Sequence, residues 1–168
     1  YVGAEPQPPV PGCDYALADA LARHLGQALR MRVGDSVALF TGTGGEYAAT
    51  IRSIDRRFVM LRIGHHDPVE RETSWPVTLV QSIIAADMMD LVVRKAVELG
   101  AAAIVPLQAA RSQHASDERT ERRLAHWRRI ATAACEQCGR NRIPEVFPVA
   151  TFAQWSEAVL PAGPIAML

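Results

Sequence analysis

The sequence predicts two modules of different fold class, a small antiparallel β-barrel followed by an α/β domain with a mostly parallel sheet. Val33, Val37 and Leu39, and later Tyr47, Ala49 and Ile51, alternate with polar or small residues, which is the period of half-buried strands. After Pro76, apolar strands alternate with amphipathic helices, as in parallel sheets joined by crossover helices. The polar stretch 64–76 is typical of an interdomain linker. We therefore expect one domain at residues 1–70 and a second at residues 71–168.

The first module begins with residues 1–12, which are rich in proline and glycine and predict an extended entry segment. Asp19 is a candidate N-cap of a short helix through Leu29. His24 shares the inner side of that helix and is expected to be a packed core histidine. Short strands follow, with a glycine-rich loop and a tight turn before residues 58–63, which is typical of a small barrel.

The second module contains three complete apolar strands, three helices and the start of a fourth strand. The strands are expected at residues 77–84, 102–107, 145–149 and 165–168, and the helices at 87–99, about 117–138, and 152–159. Asp87 and Ser116 are the candidate N-caps of the first two helices, and Gly100 and Gly139 are expected to end them.

The middle helix has a clear apolar side, and an Arg-Asn-Arg segment follows it. Gly139 and the later Pro144 stiffen this segment. Arg140 and Arg142 can either cap the last helix carbonyls or grip a phosphate bidentately, and spacing alone leaves both open. The expected buried side consists of Leu124, Trp127, Ala131, Ala134, Cys135 and Cys138, and the expected exposed side of Arg122, His126, Arg129 and Glu136.

Three other features can carry chemistry. Lys95 is expected to lie inside the apolar stripe of its helix, where it must extend to solvent or meet an acid such as Glu98. Arg111 follows the carboxyl end of the second strand, where open α/β sheets bind ligands. The Cys135-x-x-Cys138 pair sits where the helix dipole opposes a thiolate, so packing is the preferred interpretation. The expected stripe around Lys95 consists of Met88, Leu91, Val92, Ala96 and Leu99.

Composition limits the possible partners. The chain has 168 residues and a formal net charge of zero, so any nucleic-acid site must be a local patch. Adjacent residues such as His65, His66 and Asp67 cannot wrap one ion, so no metal is expected. No apolar run reaches membrane-spanning length, and three cysteines are an odd number, which favours a reduced, cytoplasmic protein.

Three segments resemble a known family in the same order. They are HLGQALRMRVGD (24–35), MDLVVRKAVELGAAAIVPLQAARS (89–112) and AACEQCGRNRIPEV (133–146). They are similar to the ribosomal RNA small-subunit methyltransferase E family, which belongs to the SPOUT class. The resemblance implies a PUA-like barrel, a SPOUT α/β domain, and S-adenosylmethionine-dependent methylation of a uridine N3 in small-subunit (16S) RNA during ribosome maturation. It also implies a homodimer that acts on this RNA or on the assembled small subunit.

The resemblance assigns roles to residues at the matching positions. The expected catalytic residues are Arg111, Arg140 and Glu136, and the expected RNA-binding residues are Arg30, Arg32, Lys95, Arg142 and Glu98. His24 takes a structural or an RNA-facing role. A solvated barrel surface is the alternative for Arg30 and Arg32. The guanidinium groups of Arg111, Arg140 and Arg142 are expected to lie around one pocket.

The family binds its cofactor in a C-terminal knot with a glycine-rich loop, and that loop does not occur in this sequence. The cofactor site is therefore expected beyond Leu168, and this chain alone is expected to be inactive. A non-catalytic RNA-binding protein with a degenerate SPOUT half-domain is the alternative. A generic nucleotide-binding enzyme would need a G-x-G-x-x-G motif after the first α/β strand, where the chain has QSII at residues 81–84.

Overall fold

The computed structural model describes residues 1–3, 7–25, 29–108 and 117–159, and the chain forms two compact units. The first unit contains Tyr1–Arg71 together with Arg140–Arg142. The second contains Glu72–Gly139 and the residues from Ile143 onward. Within the described ranges, no helix is both long enough and apolar enough to span a bilayer.

The first unit is a four-stranded antiparallel sheet with the strand order β1-β4-β3-β2. Side chains alternate across the sheet as the period of two predicts, so that Ala49 and Ile51 of the third strand point to the same buried core as Leu61 and Ile63 of the fourth. Its elements are β1 (Asp14–Ala18), α1 (Asp19–Arg23), β2 (Ser36–Leu39), β3 (Glu46–Ile54) and β4 (Phe58–Asp67).

Four sequence predictions for this unit were wrong in detail. No strand was predicted at β1, which pairs along β4 from Asp14 onward. β4 continues to Asp67, so residues 64–67 are strand rather than linker. α1 ends at Arg23 instead of Leu29; residues 24–25 follow it as a π-helical turn, and residues 26–28 of the predicted helix lie outside the described residues. His24 is exposed and is not a core histidine.

The second unit has a parallel sheet, as predicted. β5 pairs with β6, and the other side of β6 pairs first with β7 and then with β8. The strand predicted at 145–149 is shorter than expected, because it ends at Val146, and β8 at Ala150–Thr151 was not predicted. The elements are β5 (Val77–Ser82), α2 (Ala86–Glu98), β6 (Ala101–Gln108), α3 (Asp117–Cys138), β7 (Glu145–Val146), β8 (Ala150–Thr151) and α4 (Phe152–Val159). The predicted N-cap Ser116 and the predicted strand at 165–168 lie outside the described residues.

The helices bury one side each against this sheet. The predicted buried side of α3 is confirmed from Leu124 to Cys135, but Cys138 is exposed because the helix ends there. The predicted stripe of α2 was wrong by one residue. Asp87 lies in the first turn and is not the N-cap, which is Ala85 without a side-chain hydrogen bond. The residues that α2 buries are Met89, Val93, Ala96 and Val97, while Met88, Leu91 and Leu99 are exposed.

Candidate functional site

The segment after α3 leaves its helix as the sequence predicts. Gly139 has a φ of +80°, and its amide donates to the carbonyl of Cys135 at 2.9 Å, which is a glycine C-cap. Arg128, about three turns before Gly139, donates from its guanidinium to the carbonyl of Val146 at 3.1 and 3.3 Å. This contact ties α3 to β7. The residues that flank the Arg-Asn-Arg segment thus belong to the second unit, whereas Arg140–Arg142 belong to the first.

Asn141 is the buried centre of the segment and was missed by the sequence analysis. It is 1% exposed, and its backbone carbonyl accepts a hydrogen bond of 3.1 Å from the amide of Gly44. Its side-chain Nδ2 donates to the carbonyl of Val69 at 2.9 Å and to Oε1 of Glu46 at 3.4 Å. Its Oδ1 is buried and has no hydrogen-bond partner among the residues that the structure describes. The partners lie 72 and 95 residues away in sequence, so no local pattern identifies this asparagine.

Glu46 joins Asn141 to a second arginine. The Nε of Arg71 donates to Oε1 of Glu46 at 2.5 Å, and its Nη2 donates to Oε2 at 3.2 Å, so the fork is bidentate. The hydrogen bond from Arg71 is the main reason why the pKa of Glu46 lies below its usual value of 4.5. Partial burial opposes this shift, and the hydrogen bond from Asn141 adds to it. The same pair raises the pKa of Arg71.

The lowered pKa of Glu46 predicts a pH-dependent contribution to stability. A carboxyl group with a depressed folded pKa stabilises the fold above its unfolded pKa and loses this contribution as the pH falls through the folded pKa. We expect Glu46→Gln to destabilise the first unit at neutral pH and to have little effect well below pH 4.5. Amide hydrogen exchange of β4 at several pH values measures the difference. An equal difference at all pH values would contradict the role of the ionised carboxylate.

Arg142 is the accessible arginine of the segment. Its Nε donates to Oε2 of Glu70 at 2.9 Å, and both side chains are about half exposed, at 48% and 50%. Exposed ion pairs of this kind contribute about 0–1 kcal/mol, so another anion can replace the carboxylate at small cost. The backbone of Arg142 also forms isolated bridges with Gly42 and Thr43.

Arg140 is the buried arginine of the segment. It is only 7% exposed, so of the two arginines only Arg142 presents much surface. Glu136 is exposed on the last turn of α3. Arg111 and Ser112 lie outside the described residues. The expected meeting of Arg111 with Arg140 and Arg142 therefore stays a prediction.

Comparison with known proteins identifies the family. Residues 71–165 match the RNA methyltransferase domain, and residues 17–64 match the RNA methyltransferase PUA domain. The chain belongs to the ribosomal RNA small-subunit methyltransferase E family. The family relationship and the predicted fold class, a PUA-like antiparallel module followed by an α/β domain, are thereby confirmed.

Individual members of the methyltransferase E family show the extent of the similarity. The chain is 36% identical to the enzyme from Neisseria gonorrhoeae, whose crystal structure contains S-adenosylmethionine. The TM-score is 0.82, over 95% of this chain and 64% of that one. It is 28% identical to the Bacillus subtilis member over 83% of this chain and 55% of the relative. The Synechocystis member is 30% identical over 88% of this chain and 46% of the relative. The chain thus spans about half the length of these curated relatives.

The remaining methyltransferase E motif positions are at the surface. Lys95 does not lie in the buried stripe of α2, because the true stripe is shifted by one residue; its side chain is 57% exposed and pairs with Glu98 at 2.6 Å. The predicted Lys95–Glu98 pair is confirmed, and the predicted burial is wrong. Arg30 and Arg32 are exposed in the first unit, and Arg30 has a φ of +52°. Whether these residues bind RNA stays a prediction.

The described residues do not by themselves fit the cofactor of the methyltransferase E family. In the described part of the second unit, the glycines with positive φ are Gly100 and Gly139, and both end helices rather than forming a nucleoside-binding loop. No group of three histidine, cysteine, aspartate or glutamate side chains in the described ranges is arranged to hold a metal ion. Cys135 is buried and Cys138 is exposed at the helix end.

Proposed function

We propose that the protein to which this chain belongs methylates N3 of a uridine in small-subunit (16S) ribosomal RNA during ribosome maturation. The observation that carries this proposal is the joint match of one chain to an RNA methyltransferase domain and to its PUA domain. The names of the relatives support the choice of RNA. The bound cofactor of the Neisseria structure supports S-adenosylmethionine, which supplies an electrophilic methyl group.

The chemistry defines what the protein residues must do. A uridine N3 carries a proton and is paired in a helix, so the base must leave its stack and lose that proton. Negative charge then grows on the uracil carbonyls, and guanidinium groups in a water-poor site stabilise such charge well. We assign this role to Arg111 and Arg140, with Glu136 orienting an arginine. The low exposure of Arg140 supports this assignment.

Binding of the RNA is assigned to more exposed positions. In this proposal Arg142 contacts the RNA backbone, Arg30 and Arg32 dock the substrate on the PUA-like unit, and the Lys95–Glu98 pair shapes the cleft. We place the cofactor site in a segment that follows Leu168, because no glycine-rich cofactor loop occurs among the described residues. The whole protein is proposed to be a cytoplasmic homodimer, and this chain alone is proposed to be inactive.

Methyl transfer tests the proposal directly. Small ribosomal subunits that lack the modification are incubated with labelled S-adenosylmethionine and either this chain or a longer form that continues beyond Leu168. We expect label on N3 of one uridine with the longer form and none with this chain. RNA binding without transfer by both forms would favour a non-catalytic RNA-binding protein instead. Label on another base or another atom would overturn the assignment to uridine N3.

A further inference from the structure

The guanidinium of Arg142 lies flat against Gly44 of the first unit. A Cβ atom added at Gly44 would lie 2.7 Å from Nη2, 2.8 Å from Cζ and 3.0 Å from Nε of Arg142. Three nearly equal distances mean that the plane of the guanidinium faces this position. Only a residue without a side chain leaves this space free. Gly44 also has a φ of +98°, which glycine adopts without strain.

Two further contacts fix the same arginine. The amide of Gly44 donates to the carbonyl of Asn141 at 3.1 Å, so the glycine loop is bonded to the residue just before Arg142. Glu70 accepts from Nε of Arg142 at 2.9 Å and thereby sets the rotation of the fork. The loop at 42–45 and Glu70, which follows the end of β4, thus both contact this guanidinium. Both belong to the first unit, as does Arg142 itself.

We propose that Gly44 is a positioning residue, which holds the guanidinium of Arg142 in the orientation that binds an RNA phosphate. This inference rests on the proposed function, in which Arg142 contacts the RNA backbone. The PUA-like unit then does more than dock RNA on its own surface. It also orients Arg142, which belongs to the Arg-Asn-Arg segment after α3.

The physical reason is preorganisation. A free arginine side chain samples many rotamers. It loses this conformational entropy when two of its N–H groups bind one phosphate, because only one rotamer then remains. A guanidinium already laid flat on bare backbone loses less freedom on binding, so its affinity for the phosphate is higher. The exposed pair with Glu70 can be exchanged for the phosphate, whereas the surface formed by Gly44 stays in place. Gly44 therefore affects RNA binding only through Arg142.

The test uses matched glycine substitutions in the full-length protein. Gly44→Ala adds a methyl group against the guanidinium, while Gly12→Ala adds one at a φ of +80° with nothing within 4 Å. Gly44→Asn and Gly12→Asn form a second pair, because asparagine tolerates positive φ better than alanine does. Arg142→Gln removes the charge. Circular dichroism checks that each variant is folded, and binding is measured with a short labelled single-stranded RNA at several salt concentrations.

We expect both Gly44 variants and Arg142→Gln to weaken RNA binding by about tenfold, the loss of one charge-assisted contact. The slope of log K against log salt concentration should fall in magnitude by about 0.7, the value for one phosphate of a single strand. Both Gly12 variants should bind like the wild type. In the Arg142→Gln background, Gly44→Ala should have no further effect.

Several outcomes would overturn the inference. Folded Gly44 variants that bind RNA with wild-type affinity and wild-type salt dependence would overturn it. So would a loss of RNA affinity from Gly44→Ala in the Arg142→Gln background that equals its loss in the wild type. Unchanged binding by Arg142→Gln would also end it. Methyl transfer by the wild-type protein is measured in parallel. If transfer occurs while the Gly44 variants bind normally, this inference fails and the proposed function stands; if no transfer occurs, the proposed function fails.

Discussion

Replacing Asn141 with aspartate is expected to lower the free energy of unfolding of the first unit by about 3–5 kcal/mol, the usual cost of a buried charge without a counterion. The side chain is 1% exposed, and its Nδ2 donates to the carbonyl of Val69 and to Glu46. An aspartate places an oxygen where this donor stood. The variant therefore brings a carboxylate against a carbonyl and another carboxylate.

The pH dependence of the Asn141→Asp variant gives a sharper test than its stability at one pH. Burial and the neighbouring Glu46 both raise the pKa of the new carboxyl group above that of an unfolded aspartate. The neutral acid can still donate one hydrogen bond, so the difference from the wild type should shrink as the pH falls. Asn141→Ala is the control, because it loses the hydrogen bonds without adding charge and should cost about 1–3 kcal/mol at any pH.

The measurement must report on the first unit alone. All three tryptophans, at positions 75, 127 and 155, belong to the second unit, so tryptophan fluorescence follows that unit. Amide hydrogen exchange along β3 and β4 reports the stability of the first. If Asn141→Asp proves no more destabilising than Asn141→Ala, the buried contacts with Val69 and Glu46 are not what holds the segment.

Replacing Trp127 with alanine is expected to lower the free energy of unfolding of the second unit by about 3–5 kcal/mol. Trp127 is 3% exposed on α3, which packs on both α2 and β7. Removing the indole leaves a cavity that the rigid helix cannot close. Because α3 ends one residue before Gly139, a loosened helix also releases the start of the Arg-Asn-Arg segment, and RNA binding should weaken with stability.

The control for Trp127 lies on the same helix. Arg129 is exposed, and Arg129→Ala should change the free energy of unfolding by no more than about 0.5 kcal/mol. Urea unfolding followed by far-ultraviolet circular dichroism compares the two variants, and fluorescence of the buried Trp155 follows the second unit in both. A Trp127→Ala variant with wild-type stability would show that the indole is not packed between the helix and its neighbours.

The sequence was most informative where local chemistry and periodicity agree. α3 was expected at about 117–138 and α4 at 152–159, and both bounds are confirmed. Gly139 was expected to end α3 in a left-handed conformation, and its φ is +80°. In α3 a regular apolar side, a stop glycine and two acidic residues in the first turn point to one answer. Such agreement leaves little for tertiary contacts to change.

α2 shows how periodicity alone can mislead. The doublets Met88-Met89 and Val92-Val93 give two apolar stripes that are one residue apart, and hydrophobicity does not choose between them. The stripe chosen from the sequence contained Lys95, whereas the true one contains Met89, Val93 and Val97. A lysine in the middle of an expected core was the signal that should have favoured the other stripe.

The candidate site could be predicted only in part. The arginines stand out in the sequence because a glycine and a proline bracket them. Their surroundings depend on contacts between residues that are far apart along the chain, such as Glu46 with Asn141 and Gly44 with Arg142. No local pattern encodes such pairs. The burial of Arg140 likewise cannot be read from a local pattern.

The membership of residues 140–142 in the first unit has a consequence for the order in which the protein is made. The ribosome synthesises the first unit continuously up to Arg71. The remaining residues of that unit, Arg140–Arg142, are complete only 71 residues later. At a translation rate of about 5–20 residues per second, this delay is about 4–14 s. Throughout that time the carboxylate of Glu46 and the carbonyl of Val69 lack the amide that later joins them. The nascent chain thus completes its first unit only after the long helix of the second has been translated.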